Sequence, residues 1–154
     1  FYKVITEHLN KNGILHQWFP YGEAKIFRAV VRSLVDIFPY IRVYKSVEGW
    51  GFHFLASMEP FKTPTPKDIV SRLPAMAKDD IVEWERGIQF LNNIARDVRV
   101  EDYFSRSFEK EIPVALLLNQ KDELAFISDD QPYNEYYLLR RYHDAKSGSL
   151  KYVK

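Results

Sequence analysis

The chain of 154 residues contains no cysteine, which excludes disulfides, Cys-based zinc sites and thiol nucleophiles. Its six glycines form neither a G-x-G-x-x-G motif nor a phosphate-binding P-loop, so no nucleotide-binding loop is evident. No apolar run approaches the roughly 20 residues that span a bilayer. The formal net charge of +1 is too small to predict a basic surface that binds nucleic acid. We therefore expect a cytoplasmic protein with no membrane contact from this segment and no nucleic-acid partner.

Aromatic side chains are abundant, with ten Tyr, eleven Phe and three Trp, so rings are expected to line the core and any pocket. No G-x-S-x-G or H-E-x-x-H motif is present, and the four histidines form no cluster along the chain. His16 and His53 each fall on a predicted strand. They are interpreted as satisfied core histidines, with a ligand pair as the alternative, and no metal site is assigned.

Hydrophobic periodicity predicts the order helix, strand, helix, strand, strand over the first 57 residues. Helices are predicted over residues 1–9 and 23–37, and Gly13, in the left-handed conformation, is predicted to end the first one. Strands are predicted over residues 14–18, 40–44 and 50–57. The link between the last two strands is too short for a parallel crossover, so they should pair antiparallel. In the second helix the predicted buried residues are Ile26, Phe27, Val30, Val31, Leu34 and Phe38, and those predicted to face water are Glu23, Lys25, Arg28, Arg32 and Asp36.

A helix that leads into a buried strand is typical of the second half of a strand–helix–strand unit. We expect the first strand of that unit to precede Phe1. Open α/β folds place cofactor loops and catalytic residues at the carboxyl ends of early strands, so the catalytic residues are expected upstream of Phe1. A sheet without its leading strands exposes an edge and apolar faces. Self-association into a homo-oligomer is expected, through residues 14–18 or the helix faces beside them.

Residues 58–127 are predicted to form a mostly helical extension. A capping pattern at Thr65, Pro66 and Asp68 starts a short helix, and a longer helix should begin near Asp79 or Asp80. Further predicted pieces are a helix over 100–108, an apolar segment of ambiguous type over 113–118 and a strand over 124–127. The third region, 128–154, is interpreted as an acidic turn, an aromatic stretch over 133–142 and a polar, frayed tail.

Candidate binding residues fall at strand ends and turns. Gln17 and Trp18 end a strand, where α/β sheets line their ligand crevice, although Trp18 could instead cap the core. Glu48 and Trp50 flank a tight turn, and an indole beside a carboxylate suits a cationic amine; an ordinary hairpin is the alternative. Three further candidates are Asp129 and Asp130 in the acidic turn and Tyr133 at the start of the aromatic stretch. Turn formation by the aspartates and packing of the tyrosine are the simpler interpretation.

Two separate regions of the chain, one within residues 1–57 and one at residues 128–136, resemble spermidine synthase-like proteins. Phe1-Tyr2 with Asn12-Gly13-Ile14-Leu15-His16-Gln17-Trp18, and Gly49-Trp50-Gly51-Phe52-His53-Phe54-Leu55-Ala56-Ser57, are similar to that family's "FY…QW" and "GxGFxLAS" patterns. The run Ser128-Asp129-Asp130-Gln131-Pro132-Tyr133-Asn134-Glu135-Tyr136 is similar to a "TDDxPxxEy" signature of longer bacterial relatives. Residues 58–127 match the family only loosely.

The resemblance implies the C-terminal part of a class I S-adenosylmethionine-dependent methyltransferase-like, Rossmann-like α/β fold with an antiparallel final hairpin and a helical extension. It also implies aminopropyl transfer from decarboxylated S-adenosylmethionine to a small amine. The family's glycine motif and catalytic aspartate precede the position of Phe1, so no cofactor-binding residue is expected in this chain. In the family pattern Gln17 lies near the amine and Trp50 along the pocket wall.

One departure from the family concerns residues 45–49, which replace a Pro-Thr-Tyr-Pro-Ser-Gly run that carries a pocket tyrosine. A different amine acceptor is therefore left open. Because the family's glycine motif precedes the position of Phe1, decarboxylated or intact S-adenosylmethionine is implied only for the parent protein. Methyl transfer, or a non-catalytic binding or assembly module of the same fold, stays open beside aminopropyl transfer.

Overall fold

A computed structural model describes residues 1–20, 22–47, 49–118, 127 and 137–148. These residues form two compact units, one made of residues 1–61 with 111–154 and the other of residues 62–110. The elements in chain order are α1 Tyr2–His8, β1 Leu15–Pro20, α2 Ala24–Val35, β2 Tyr40–Lys45, β3 Gly51–Ser57, α3 Pro66–Arg72, α4 Ala75–Leu91, α5 Val100–Glu109, β4 Glu111–Ile112, α6 Val114–Leu118 and α7 Tyr137–Ser147. No helix of these described ranges is long and apolar enough to cross a membrane.

The four strands form one sheet in the order β1-β3-β2-β4, and every neighbouring pair is antiparallel. β1 and β2 therefore run in the same direction, joined by α2, with β3 inserted between them. The predicted antiparallel pairing of the last two strands of the 1–57 segment is confirmed, with Val43 opposite Phe54. The chain is thus a mixed α/β protein, as its pattern predicted.

One face of the sheet packs against α2 to form the core. All six apolar residues predicted for the buried side of this helix are buried, which confirms its amphipathic pattern. Five of them, all except Ile26, share one core cluster with sheet residues of β2 and β3 that point to the same face, because side chains alternate along a strand. The sheet members of this cluster are Val43, Phe52, Phe54 and Ala56.

The polar side of α2 differs from the prediction at two positions. Glu23 and Arg28 were expected to face water, yet only 6% and 9% of their surfaces are exposed. α6 also packs against α2, and the backbone N–H of Ile127 donates to Ser33 Oγ at 3.3 Å. Because α2 is covered from more than the sheet side, a single-face prediction underestimates its burial.

The end of α1 also differs from the prediction. The helix stops at His8, and Asn12, with φ 60°, adopts the left-handed conformation that was predicted for Gly13. A Cβ at Gly13 would lie 2.8 Å from the carbonyl oxygen of Asn10, so the close approach of the chain explains the glycine there. β1 then extends to Pro20 rather than ending at residue 18, because proline is tolerated on the outer strand of a sheet.

The unit formed by residues 62–110 is helical. The predicted start of α3 is confirmed by a complete capping box, in which the Asp68 N–H donates to Thr65 Oγ1 at 3.1 Å and the Thr65 N–H donates to Asp68 Oδ2 at 3.0 Å. α4 begins at Ala75, directly after Pro74, and not at Asp79 or Asp80, since its first turn is rich in strong helix formers. An ion pair between Arg106 and the buried Glu85 joins α5 to α4.

The segment of ambiguous type over 113–118 is helical as α6. β4 was not predicted, because its two residues are too few to show a hydrophobic period. It lies inside the predicted 58–127 extension and pairs Glu111 with β2 in the sheet. α7 includes part of the aromatic stretch and continues to Ser147, so the tail is helical beyond His143, where fraying was predicted. The predicted strand over 124–127, except Ile127, and the acidic turn lie outside the described residues.

Replacing Gly51 by alanine should lower the free energy of unfolding by about 1–3 kcal/mol, the usual cost of overpacking. A Cβ at this position would lie 2.4 Å from the carbonyl oxygen of Phe19, so β1 and β3 would have to move apart. Denaturant unfolding measures the change. Gly87→Ala is the matched control, because nothing lies within 4 Å of its Cβ position in α4 and alanine favours the helix. Equal stability of Gly51→Ala and the wild type would contradict the close approach of β1 and β3 at Gly51.

Candidate functional site

The parallel direction of β1 and β2 brings their carboxyl ends to one edge of the sheet, where β3 begins. We call this edge, formed by residues 18–20, 45–47 and 49–52, the carboxyl edge. Two backbone hydrogen bonds stabilise the turn between β2 and β3. The Ser46 N–H donates to the Gly51 oxygen at 2.8 Å, and the Gly49 N–H donates to the Ser46 oxygen at 2.9 Å. Gly49, at φ 81°, takes the left-handed conformation that this turn requires.

Two indoles are exposed at the carboxyl edge. Trp18 is 51% exposed and Trp50 is 75% exposed, so both remain accessible to a ligand. The Trp18 ring lies beside the start of β3, since its Nε1 is 3.1 Å from where a Cβ of Gly51 would be. A tryptophan face attracts cations through its quadrupole, so exposed indoles at a strand end can hold an amine.

Gln17 lies on the opposite face of β1 from Trp18, because consecutive strand residues point to opposite sides. Its Oε1 accepts a hydrogen bond of 2.7 Å from the hydroxyl of Tyr2, which itself packs edge-on against Phe38. Burial raises the pKa of Tyr2 to about 12. Gln17 therefore fastens α1 to the core side of the sheet, and its assignment to the amine stays a prediction from the resemblance.

The other predicted site residues, Glu48, Asp129, Asp130 and Tyr133, lie outside the described residues. Their assignments as binding groups stay predictions. Of the seven predicted positions, the structure thus places Trp18 and Trp50 at one edge and Gln17 on the core side.

A chain of hydrogen bonds links the two strand histidines to the turn. His16 Nε2 lies 3.0 Å from His53 Nδ1, and His53 Nε2 lies 3.0 Å from Ser46 Oγ. The chain of hydrogen bonds leads from the buried Ser46, the residue after β2, through His53 on β3 to the exposed His16 on β1. The two histidines are hydrogen-bonded, but neither is a core residue as predicted, because the face that carries them is not the one that packs against α2.

A second polar group occupies the same face of the sheet. Tyr44, opposite His53 in the ladder, donates to Glu111 Oε2 at 3.3 Å and accepts from Arg42 at 3.2 Å. Arg42 also pairs with Glu111 at 3.4 Å and lies 5.8 Å from the centre of the Phe61 ring. Burial, followed by the nearby carboxylate, raises the pKa of Tyr44. The sequence argument missed this group because Glu111 joins the sheet only through the unpredicted β4.

Within the ranges that the structure describes, no three or more His, Asp or Glu side chains are grouped as metal ligands would be. The face that carries the two histidines is nevertheless rich in groups that donate, accept or attract charge. Comparison of the chain with protein-family models, curated proteins and solved structures finds no match.

The buried hydroxyl of Tyr2 should make stability fall at alkaline pH. The folded state holds this proton more tightly than the unfolded chain, so the stabilisation is complete below about pH 10 and is lost as the pH rises towards 12. Denaturant unfolding of Tyr2→Phe across this range should reveal a smaller loss than in the wild type.

Tyr40→Phe serves as the control for this measurement, because Tyr40 is 39% exposed at the start of β2. It should follow the wild-type curve. If Tyr2→Phe and the wild type lose stability in parallel above pH 10, the buried phenol is not the cause.

Proposed function

We propose that this chain forms the amine-binding side of a spermidine synthase-like transferase, which moves an aminopropyl group from decarboxylated S-adenosylmethionine to an amine. The observation that carries the proposal is the pair of exposed indoles, Trp18 and Trp50, at the carboxyl edge of the sheet. No residue of this chain is assigned to the nucleoside.

The strand order supports the Rossmann-like part of the proposal. The resemblance implies a sheet that ends in an antiparallel hairpin. In the described sheet, β1 crosses over through α2 to β2, and the returning strand β3 fills the space between them. The proposal puts the ligand crevice at the carboxyl ends of β1 and β2, because open α/β sheets bind their substrates at such strand ends.

The chemistry at this edge would be a nucleophilic substitution. The lone pair of a neutral amine attacks the carbon next to the sulfonium, a C–N bond forms, and the C–S bond breaks with its electron pair left on sulfur. The proton lost by the substrate ammonium before attack passes to a base or to water. The chain would contribute positioning and cation–π attraction to this reaction.

A non-catalytic module is the second candidate. The unit formed by residues 62–110 favours it, because α4 exposes large apolar side chains, among them Trp84, Phe90 and Leu91, of the kind that interaction surfaces carry. Methyl transfer differs from the first proposal only in the carbon that is transferred.

Trp18→Ala in the protein that carries this chain should weaken binding of a diamine about 2- to 30-fold, as expected for loss of one cation–π contact. Isothermal titration calorimetry with putrescine measures the change. Trp84→Ala is the matched control, since Trp84 is 56% exposed on α4, in the other compact unit, and should leave binding unchanged. Equal effects of the two substitutions would contradict an amine site at the carboxyl edge.

Mass spectrometry of the product then separates the chemical alternatives. Incubation with decarboxylated and with intact S-adenosylmethionine should give an aminopropylated amine from the first nucleoside. A methylated amine from the second would replace aminopropyl transfer by methyl transfer. If the protein binds neither nucleoside, the transferase proposal fails and the module is favoured.

A further inference from the structure

We propose that His16 and His53 form a binding site for a divalent transition-metal ion, Cu²⁺ or Ni²⁺, on the sheet face that does not pack against α2. The site is separate from the proposed transfer reaction and does not depend on it. Its basis is the placement of two imidazole nitrogens 3.0 Å apart on neighbouring strands.

The antiparallel ladder holds the two side chains in place. His16 lies opposite Leu55, and His53 lies opposite Trp18, so the histidines are diagonal neighbours on one face. Diagonal positions are about 7–8 Å apart, within reach of long and ring side chains. Because both residues sit inside paired strands and not on loops, the separation of their backbones is fixed by the sheet.

Ser46 supplies the support that a metal-binding histidine needs. When His53 Nε2–H donates to Ser46 Oγ, at 3.0 Å, the lone pair of His53 lies on Nδ1, the atom that faces His16. Ligating histidines usually donate their second ring N–H in this way, which fixes the tautomer and orients the ring. Ser46 is itself only 4% exposed, so this anchor is shielded from water.

His16 supplies the accessible half of the site. With that tautomer of His53, His16 Nε2–H donates to His53 Nδ1 in the metal-free pair. Binding requires this proton to move to His16 Nδ1 through water, so the neutral pair releases no net proton. The exposed ring of His16 can turn until its lone pair converges with that of His53 on one ion, and water completes the coordination shell.

The chemistry of the two ligands favours particular metals. Imidazole nitrogen suits Cu²⁺, Ni²⁺ and Zn²⁺, and the affinity of a nitrogen site rises from Ni²⁺ to Cu²⁺ and falls again at Zn²⁺. Two nitrogens with water in the remaining positions fit the tetragonal or octahedral coordination of Cu²⁺ and Ni²⁺. Zinc sites usually take three or four protein ligands, more than the pair supplies.

The surroundings of the pair tolerate a cation. Arg42, on the same face, is already paired with Glu111 at 3.4 Å, so part of its positive charge is compensated. Tyr44, opposite His53, has its pKa raised by burial and is a neutral phenol at physiological pH. The charged groups named on this face therefore carry little net repulsion towards a divalent ion.

Isothermal titration calorimetry with Cu²⁺ alone, and with Ni²⁺ alone, in a non-coordinating buffer tests the site. The protein should bind one ion at this site, and His16→Gln should weaken that binding at least tenfold. Ser46→Ala should weaken it about tenfold, the usual effect of losing a supporting hydrogen bond. His8→Gln, on the exposed side of α1, is the control and should bind like the wild type.

Electron paramagnetic resonance of the Cu²⁺ complex provides a readout that does not depend on affinity. Hyperfine coupling to two imidazole nitrogens is expected in the wild type and to one in His16→Gln. His16 is exposed, so this variant should keep the wild-type circular dichroism and melting curve. Binding that is equally tight in His16→Gln, or a wild-type spectrum with a single imidazole nitrogen, would overturn the proposal and leave the pair as a hydrogen bond alone.

Discussion

The insertion of β3 between β1 and β2 is the constraint on which the described site depends. It makes β1 and β2 run in the same direction, and it carries the turn after Ser46 to the end of β1. The backbones approach so closely at Gly51 that a Cβ would lie 2.4 Å from the Phe19 oxygen. Without the pairing of β1 with β3, Trp18 and the β2–β3 turn would not lie at one edge of the sheet, and His16 would not contact His53.

Because side chains alternate along each strand, the two faces of the sheet have different roles. On β1, Gln17 and Phe19 point to the core side, where the hydroxyl of Tyr2 donates to the part-buried amide oxygen of Gln17. His16 and Trp18 point to the other side. The core side stabilises the sheet by burying apolar area, while the second face keeps polar and aromatic groups within reach of solvent.

The sequence predicted what depends on local periodicity. The buried stripe of α2, the β2–β3 hairpin and the capping box at Thr65 each follow from residue spacing within one element. What it missed depends on distant segments. Glu23 and Arg28 are buried in a helix that is covered from more than the sheet side, and Glu111 reaches the sheet through a two-residue strand.

The candidate site likewise combines features that local spacing predicts with features that depend on distant segments. Spacing identified Trp18 and Trp50 as residues at strand ends, but it could not separate Gln17 from Trp18, although strict alternation along a strand does so. The histidine pair needed the register, because residues 16 and 53 meet only if Trp18 lies opposite His53. A one-residue shift of β3 would turn His53 into the core and abolish the pair.

The two proposals also constrain each other through charge. Trp18 lies opposite His53 on one face, so an ion held by the histidines would bring positive charge to the indole that is proposed to attract an amine. Like charges a few ångströms apart at a partly exposed surface repel by an amount comparable to a cation–π contact. Metal occupancy and amine binding should therefore oppose one another, and linkage requires each to weaken the other by the same factor.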